Sequence, residues 1–115
     1  MFSLGSGLVY QLYSKPSDMR KSFDGLSGIV RDQLNRDPLS REVFIFLNRT
    51  GNLIKLLHWQ EGGFVLYYKR LEKGTFTPPK IQPGSTAIKW ADLVLMLEGI
   101  QVKEYVKKER YKVEK

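Results

Sequence analysis

One histidine, twelve acidic residues, nineteen lysines and arginines and no cysteine set the chemistry open to this 115-residue chain. Without cysteine there is no thiol nucleophile, iron–sulfur cluster or cysteine-based zinc site. The single imidazole, His58, lies between Leu57 and Trp59 in a β-prone run, where a histidine is more often a half-buried sheet residue than a general base. A carboxylate-only metal site needs acids that converge. Asp18 and Asp24 stand six apart on what reads as one helix, almost on opposite sides, and Asp32, Asp37 and Asp92 show no grouping. Glu61-Gly62-Gly63 reads as a hairpin turn, not the strand-to-helix cradle of a phosphate loop. The chain is therefore expected to be a non-enzyme, with no catalytic residue, metal or cofactor.

What remains is binding chemistry. The formal net charge is +7, which favours a polyanionic partner, nucleic acid first and an anionic membrane surface second. Cations and aromatics interleave on two adjacent strands: Lys55, His58 and Trp59 on one, Tyr67, Tyr68, Lys69 and Arg70 on the next. Such a surface can hold phosphates by charge and bases by stacking. Alternation puts Lys55, Leu57 and Trp59 on one face and Ile54, Leu56 and His58 on the other; Phe64, Leu66 and Tyr68 likewise oppose Val65, Tyr67 and Lys69. Trp59, Phe64 and Tyr68 are read as core. Arg49, in the preceding turn, and Lys73, after the last strand, are expected near opposite ends of these strands. Arg20 and Lys21 fall in the first turn of the first helix, where a cation opposes the dipole by roughly a few tenths of a kcal/mol. A phosphate at the helix start would favour them there, and an ion pair from Arg20 to Asp24 would do so as well. The candidate nucleic-acid-binding residues are thus Arg20, Lys21, Arg49, Lys55, Lys69, Arg70 and Lys73.

The elements that must position them are legible in outline. The length is that of one domain, here 1–100, followed by a basic polar tail, 101–115. Leu8 to Tyr13 alternates weakly and reads as a first strand. Ser17 is an N-cap, and Met19, Phe23, Leu26 and Val30 make one apolar face of a helix running to about Leu34. Gly25 and Gly28 interrupt that helix, each at a cost of about 1 kcal/mol relative to alanine, and close packing on a sheet is the expected reason. Val43–Leu47, Leu53–Trp59 and Phe64–Lys69, joined by short turns, form an antiparallel meander. The unbroken apolarity of Val43–Leu47 implies burial on both faces. Pro78, Pro79 and Pro83 make Thr77–Gly84 an extended linker. Thr86–Lys89 is a short strand, and Trp90–Leu97 a helix ended by Gly99. The expectation is an α+β fold: an antiparallel sheet of four or five strands, an amphipathic helix packed on one face, a short C-terminal helix, and the other face partly open. The longest apolar runs, Val43–Leu47 and Leu93–Leu97, are far too short to span a bilayer. Met1 to Tyr13 lacks a charged targeting region, so a cytoplasmic protein is expected.

Several of these stretches resemble one family. Asp18-Met19-Arg20-Lys21-Ser22-Phe23-Asp24-Gly25-Leu26, with Ser22 where glycine is usual, is similar to its first segment. Val43–Phe46 followed by Arg49-Thr50-Gly51-Asn52 resembles its first hairpin. Ile54–Trp59, Gly62-Gly63-Phe64 and Tyr68–Phe76 resemble its core. The family is the small accessory protein, often called TnpB, of insertion sequences of type sixty-six. The likeness runs from about Val9 to Ile100, with His58 in place of an aromatic and Asn52 in place of an acid. It implies an accessory role in DNA transposition beside a separate transposase, and it supplies no catalytic residues. Asp18, Arg20, Lys21, Asp24, Arg49, Lys55, Lys69 and Arg70 are its polar motif residues, and they form the expected working surface. Two readings follow: a DNA-binding factor using that surface, and an adaptor that docks on the transposase without touching DNA.

Overall fold

The computed structural model describes residues 4–98. Gly99 and the tail 101–115, read above as a helix stop and a polar extension, lie outside the described residues. The elements in chain order are β1 (Tyr10–Leu12), α1 (Phe23–Asp32), β2 (Val43–Leu47), β3 (Leu53–Gln60), β4 (Gly63–Arg70), β5 (Ala87–Ile88) and α2 (Trp90–Leu97). They form the expected α+β fold around one five-stranded sheet of order β4-β3-β2-β1-β5. β2, β3 and β4 make the antiparallel meander. β1 is different: it runs parallel to β2, with Tyr10 opposite Val43, and β5 is antiparallel to it on the far side. A parallel neighbour needs a crossover, and α1 supplies it.

β2 explains the layering. Val43, Phe44, Ile45 and Phe46 are all fully buried, so the sheet needs cover on both sides. On one face Leu26 and Val30 of α1 pack on Phe44, Phe46 and Leu57. On the other, Val43, Ile45, Ile54 and Leu56 meet Tyr10, Leu12, Phe76, Ile88 and the α2 residues Leu93 and Met96. The second face is therefore not open over the central strands. Phe76, in the bend after β4, and α2 fold back and close it. Each fully buried Leu, Ile, Val or Phe contributes about 1.5–3 kcal/mol of transfer free energy. His58 lies on this second face beside the apolar residues, and burial pushes its pKa down, against a hydrogen bond with the Glu42 main chain that raises it.

The first helix starts at Phe23, later than the apolar pattern implies. The Asp18 carboxylate accepts the Arg20 main-chain N–H at 2.9 Å, and Lys21 N–H bonds Asp18 O at 3.1 Å. A turn thus occupies the residues that would have formed the first helical turn. The carbonyls of Met19 and Lys21, which a helix beginning there would use, are taken by Lys55 instead. At the other end Asn35, with φ of 54°, terminates the helix, and Arg36 N–H returns to Val30 O at 3.0 Å.

The two helical glycines are not explained by close packing on the sheet. A Cβ at Gly25 would meet the flexible Lys21 side chain at 3.1 Å, and a Cβ at Gly28 would meet nothing within 4 Å. Gly28→Ala is therefore expected to raise the unfolding free energy by about 0.5–1 kcal/mol, measured by urea denaturation. A loss of stability would show that Gly28 serves a contact the monomer does not contain.

Candidate nucleic-acid interface

Three segments distant in sequence meet at one end of the sheet. The first is the β2–β3 turn. Asn48 Oδ1 accepts Leu53 N–H at 3.0 Å, Asn48 Nδ2 donates to Thr50 Oγ1 and Asn52 Oδ1, and Thr50 Oγ1 donates to Asn52 Oδ1 at 2.7 Å. Gly51 takes φ of 77° to close the turn, and Arg49 projects exposed from it. Asn52, where the resembling family has an acid, supplies the acceptor oxygen that an acid would supply there.

The second segment is the bend after β4. Leu71 N–H bonds Asn52 O at 2.9 Å and Phe76 N–H bonds Gly51 O at 2.8 Å. These bonds tie Arg70 and Lys73, both exposed, to the end that carries Arg49. The expectation that Arg49 and Lys73 sit at opposite ends is overturned. β4 ends where β3 begins because the two strands are antiparallel, and the bend folds onto the turn. The third segment is 17–21: Ser17 N–H bonds Leu47 O at 2.8 Å, just before the turn. It brings exposed Arg20 and Lys21 to the same end.

Five of the seven candidates are thus gathered: Arg20, Lys21, Arg49, Arg70 and Lys73. The acids among them leave the cations accessible. Arg20 Nε and Nη2 grip Asp18 at 2.7–3.1 Å rather than Asp24, yet the Arg20 side chain is 91% exposed. Arg70 and Glu72 approach only to 3.5 Å, and both are well exposed. Pairs this wet are screened by salt and add little stability. An ammonium attracts phosphate as a point charge, and a planar guanidinium can bind it in a bidentate way.

The other two candidates are engaged elsewhere. Lys55 is only 5% exposed. Its Nζ donates to Met19 O at 2.7 Å and to Lys21 O at 2.8 Å, and it lies 5.0 Å from the Tyr68 ring centroid. Burial pushes the Lys55 pKa down, opposed by the charge of Asp18. Lys55 clips segment 17–21 to the sheet, so it positions the cationic end without joining its surface. Lys69 is half-buried on the opposite face, where its Nζ donates to Leu97 O at 2.6 Å, at the negative end of α2. Alternation alone put Lys55 on the α1 face, but nothing in the sequence said that carbonyls from a broken helix turn would be waiting there. Tyr68, read as core, is 52% exposed, while Trp59 and Phe64 are half-buried and packed edge to face at 5.0 Å.

Among the described residues no three His, Asp or Glu side chains group to hold a metal, and no helix is long and apolar enough to cross a membrane. A cleft of about 350 Å³ lies between α1 and Pro38-Leu39, with Ser27 in its wall. His58 is on the other side of the sheet from it.

A small α+β domain with both faces of its central strands covered and five exposed cations from three segments at one end of the sheet is what fold and site define. The chain belongs to the family of IS66 Orf2-like proteins, whose model matches residues 9–107. It is 39% identical over 101 residues to protein y4hO of Sinorhizobium fredii (strain NBRC 101917 / NGR234), covering 87% of each chain. It is 26% identical over 100 residues to y4jC of the same strain, covering 87% of this chain and 86% of that one. Both relatives are described as uncharacterized. No solved structure matches significantly. The family ties the chain to the transposition of insertion sequences in an accessory role.

Two measurements test this geometry. Lys55→Met keeps the packed stem but strands two carbonyls, so it should cost about 1.5–3 kcal/mol of stability, measured by urea denaturation. An unchanged stability would show that the clip is not made. The Arg20 guanidinium holds the Asp18 carboxyl down to about 2. The pair's contribution is therefore present above the ordinary carboxylate pKa of about 4 and lost as pH falls through the lowered value. The Asp18 carboxyl resonance should titrate near 2 in the wild type and move upward in Arg20→Ala while staying below the ordinary value, because the residue-20 main-chain N–H still donates to it.

Proposed function

We propose that this protein is a non-catalytic accessory factor of DNA transposition that binds DNA through the sheet end bearing Arg20, Lys21, Arg49, Arg70 and Lys73. The observation that carries this reading is the convergence of those cations from three separate segments, together with a net charge of +7. DNA is the partner, and the reading places the protein in the cytoplasm with it. Cations that neutralise phosphates release counterions, so affinity falls with salt by a slope of about −0.9 per contact on a logarithmic scale. If all five cations engage, binding should weaken on the order of several hundredfold between 50 and 200 mM salt.

The test is a gel-shift titration against a duplex carrying the element's terminal repeat and against a shuffled duplex, at two salt concentrations. Arg49→Ala and Arg70→Ala should each weaken binding and flatten the salt slope by about one. Preference for the terminal repeat would place the protein at the ends of the element.

A second reading has its own observation. Phe23 and Leu39 are large apolar side chains exposed by 41% and 49%. Phe23 stacks on Phe64 at 6.3 Å, and Leu39 and Phe64 line the 350 Å³ cleft. This patch suits an adaptor that docks on the transposase. No binding to either duplex at low salt, with co-purification of the transposase lost in Leu39→Asp, would replace the DNA reading with this one.

A further inference from the structure

The sheet has two unequal edges. β5 is two residues long and β4 is eight, from Gly63 to Arg70. β4 contains no proline, and its pairing with β3 is continuous at every position, without a bulge. Leu71 N–H points at Asn52 O, and antiparallel ladders alternate. Gly63, Val65, Tyr67 and Lys69 therefore direct their main-chain groups toward β3, and Phe64, Leu66, Tyr68 and Arg70 direct theirs away from it. Among the described residues nothing bonds those outward groups. Natural proteins protect long edges with prolines, bulges, inward-pointing charges or covering segments, because an unprotected edge is a template for another strand. β4 has one such charge, Lys69, at its penultimate position and engaged with Leu97 O, and no proline or bulge along residues 63–68.

We propose that the β4 edge is a homodimer interface, with β4 of a second copy paired antiparallel in the register centred on Tyr67. Four features of the strand select a second copy as the occupant. In this register Phe64 faces Arg70 of the other strand, Val65 faces Lys69, Leu66 faces Tyr68, and Tyr67 faces Tyr67. Every outward N–H and C=O of Phe64, Leu66, Tyr68 and Arg70 gains a partner. The only charges on the strand, Lys69 and Arg70, fall at opposite ends of the pair, so like charges never meet across the twofold axis. Tyr68, half exposed in one copy, is covered by Leu66 of the other, and Phe64 offers its ring to an arginine.

The twofold axis is perpendicular to the sheet, so both α1 helices remain on one face of a continuous ten-stranded sheet. The two Arg70 Cα positions lie six residues apart along the strand direction, roughly 20 Å at the usual antiparallel rise. The turns and bends lie beyond them, so the two cationic ends are spaced more widely than that, toward the ~34 Å of one DNA turn. This spacing argument alone rests on the DNA reading above; the dimer does not.

The experiment is analytical ultracentrifugation of the full chain without DNA, over a wide concentration range, with two variants. Wild type should sediment as a reversible dimer. Tyr68→Pro removes an outward N–H while leaving every bond to β3 in place, and should be monomeric with its circular dichroism retained. Tyr67→Cys introduces the chain's only thiol at the twofold axis, where a non-hydrogen-bonded pair has its Cα atoms about 4.5 Å apart, within disulfide reach. On mild oxidation it should form a covalent dimer at least tenfold faster than Ser85→Cys. A wild type that is monomeric at every concentration overturns the proposal. So does a dimer in which Tyr67→Cys cross-links no faster than Ser85→Cys. A monomer whose outward amides are nonetheless protected from hydrogen exchange assigns the edge to another segment of the same chain and overturns it too. If the dimer forms but neither duplex is bound, the DNA reading fails and the interface stands; if both hold, Tyr68→Pro should bind DNA at least tenfold more weakly.

Discussion

The dryness of β2 is the constraint from which the rest of this structure follows. Four consecutive residues, Val43 to Phe46, are sealed from water on both sides. A strand in that state needs a strand on each flank and a layer on each face. β3 and β1 provide the flanks, α1 one layer, and α2 with the Phe76 bend the other. With both faces spent on the core, an exposed charge that belongs to the sheet is left the ends and the outer edges, while the others sit on the helices and loops. The cationic end is thus as much a product of core formation as of any partner's demand.

Burial also separates residues that look alike in the sequence. Lys55 and Arg70 both sit on strands among aromatics, and simple alternation places both on the α1 face. One is inside and one is wet, because Lys55 is on a central strand beneath segment 17–21 and Arg70 ends an edge strand. A buried ammonium is costly unless it finds acceptors. Lys55 finds them in two carbonyls freed where the Asp18–Arg20 turn replaces a turn of helix. The turn and the lysine therefore depend on one another, and together they set where Arg20 and Lys21 emerge.

Much of the fold was legible where the periodicity was strong. The meander, its turns, both helices and the two-sided burial of β2 follow from runs such as Val43–Leu47 and from glycine at Gly51 and Gly62. The misreadings have specific causes. β1 is three residues long, and no local pattern says that a short strand pairs in parallel with one thirty residues later. Helix periodicity from Met19 onward ignored a competing Asp18 side chain. Arg49 and Lys73 were placed at opposite ends against the meander's own geometry, since the end of a third antiparallel strand lies beside the turn between the first two. The candidate cations were found by type, and only packing sorted them into a clip, a helix cap and a surface.

The inequality of the two sheet edges has a consequence for what the molecule can become. A sheet with two long bare edges can add copies without limit, and its natural product is a fibre. Here β5 offers two residues and β4 eight. Strand addition at β4 uses up the one competent edge of each copy, so growth halts at the first step and the symmetry closes. In such a dimer, the shortness of the fifth strand is what would keep a sequence rich in apolar, β-prone runs from open-ended assembly.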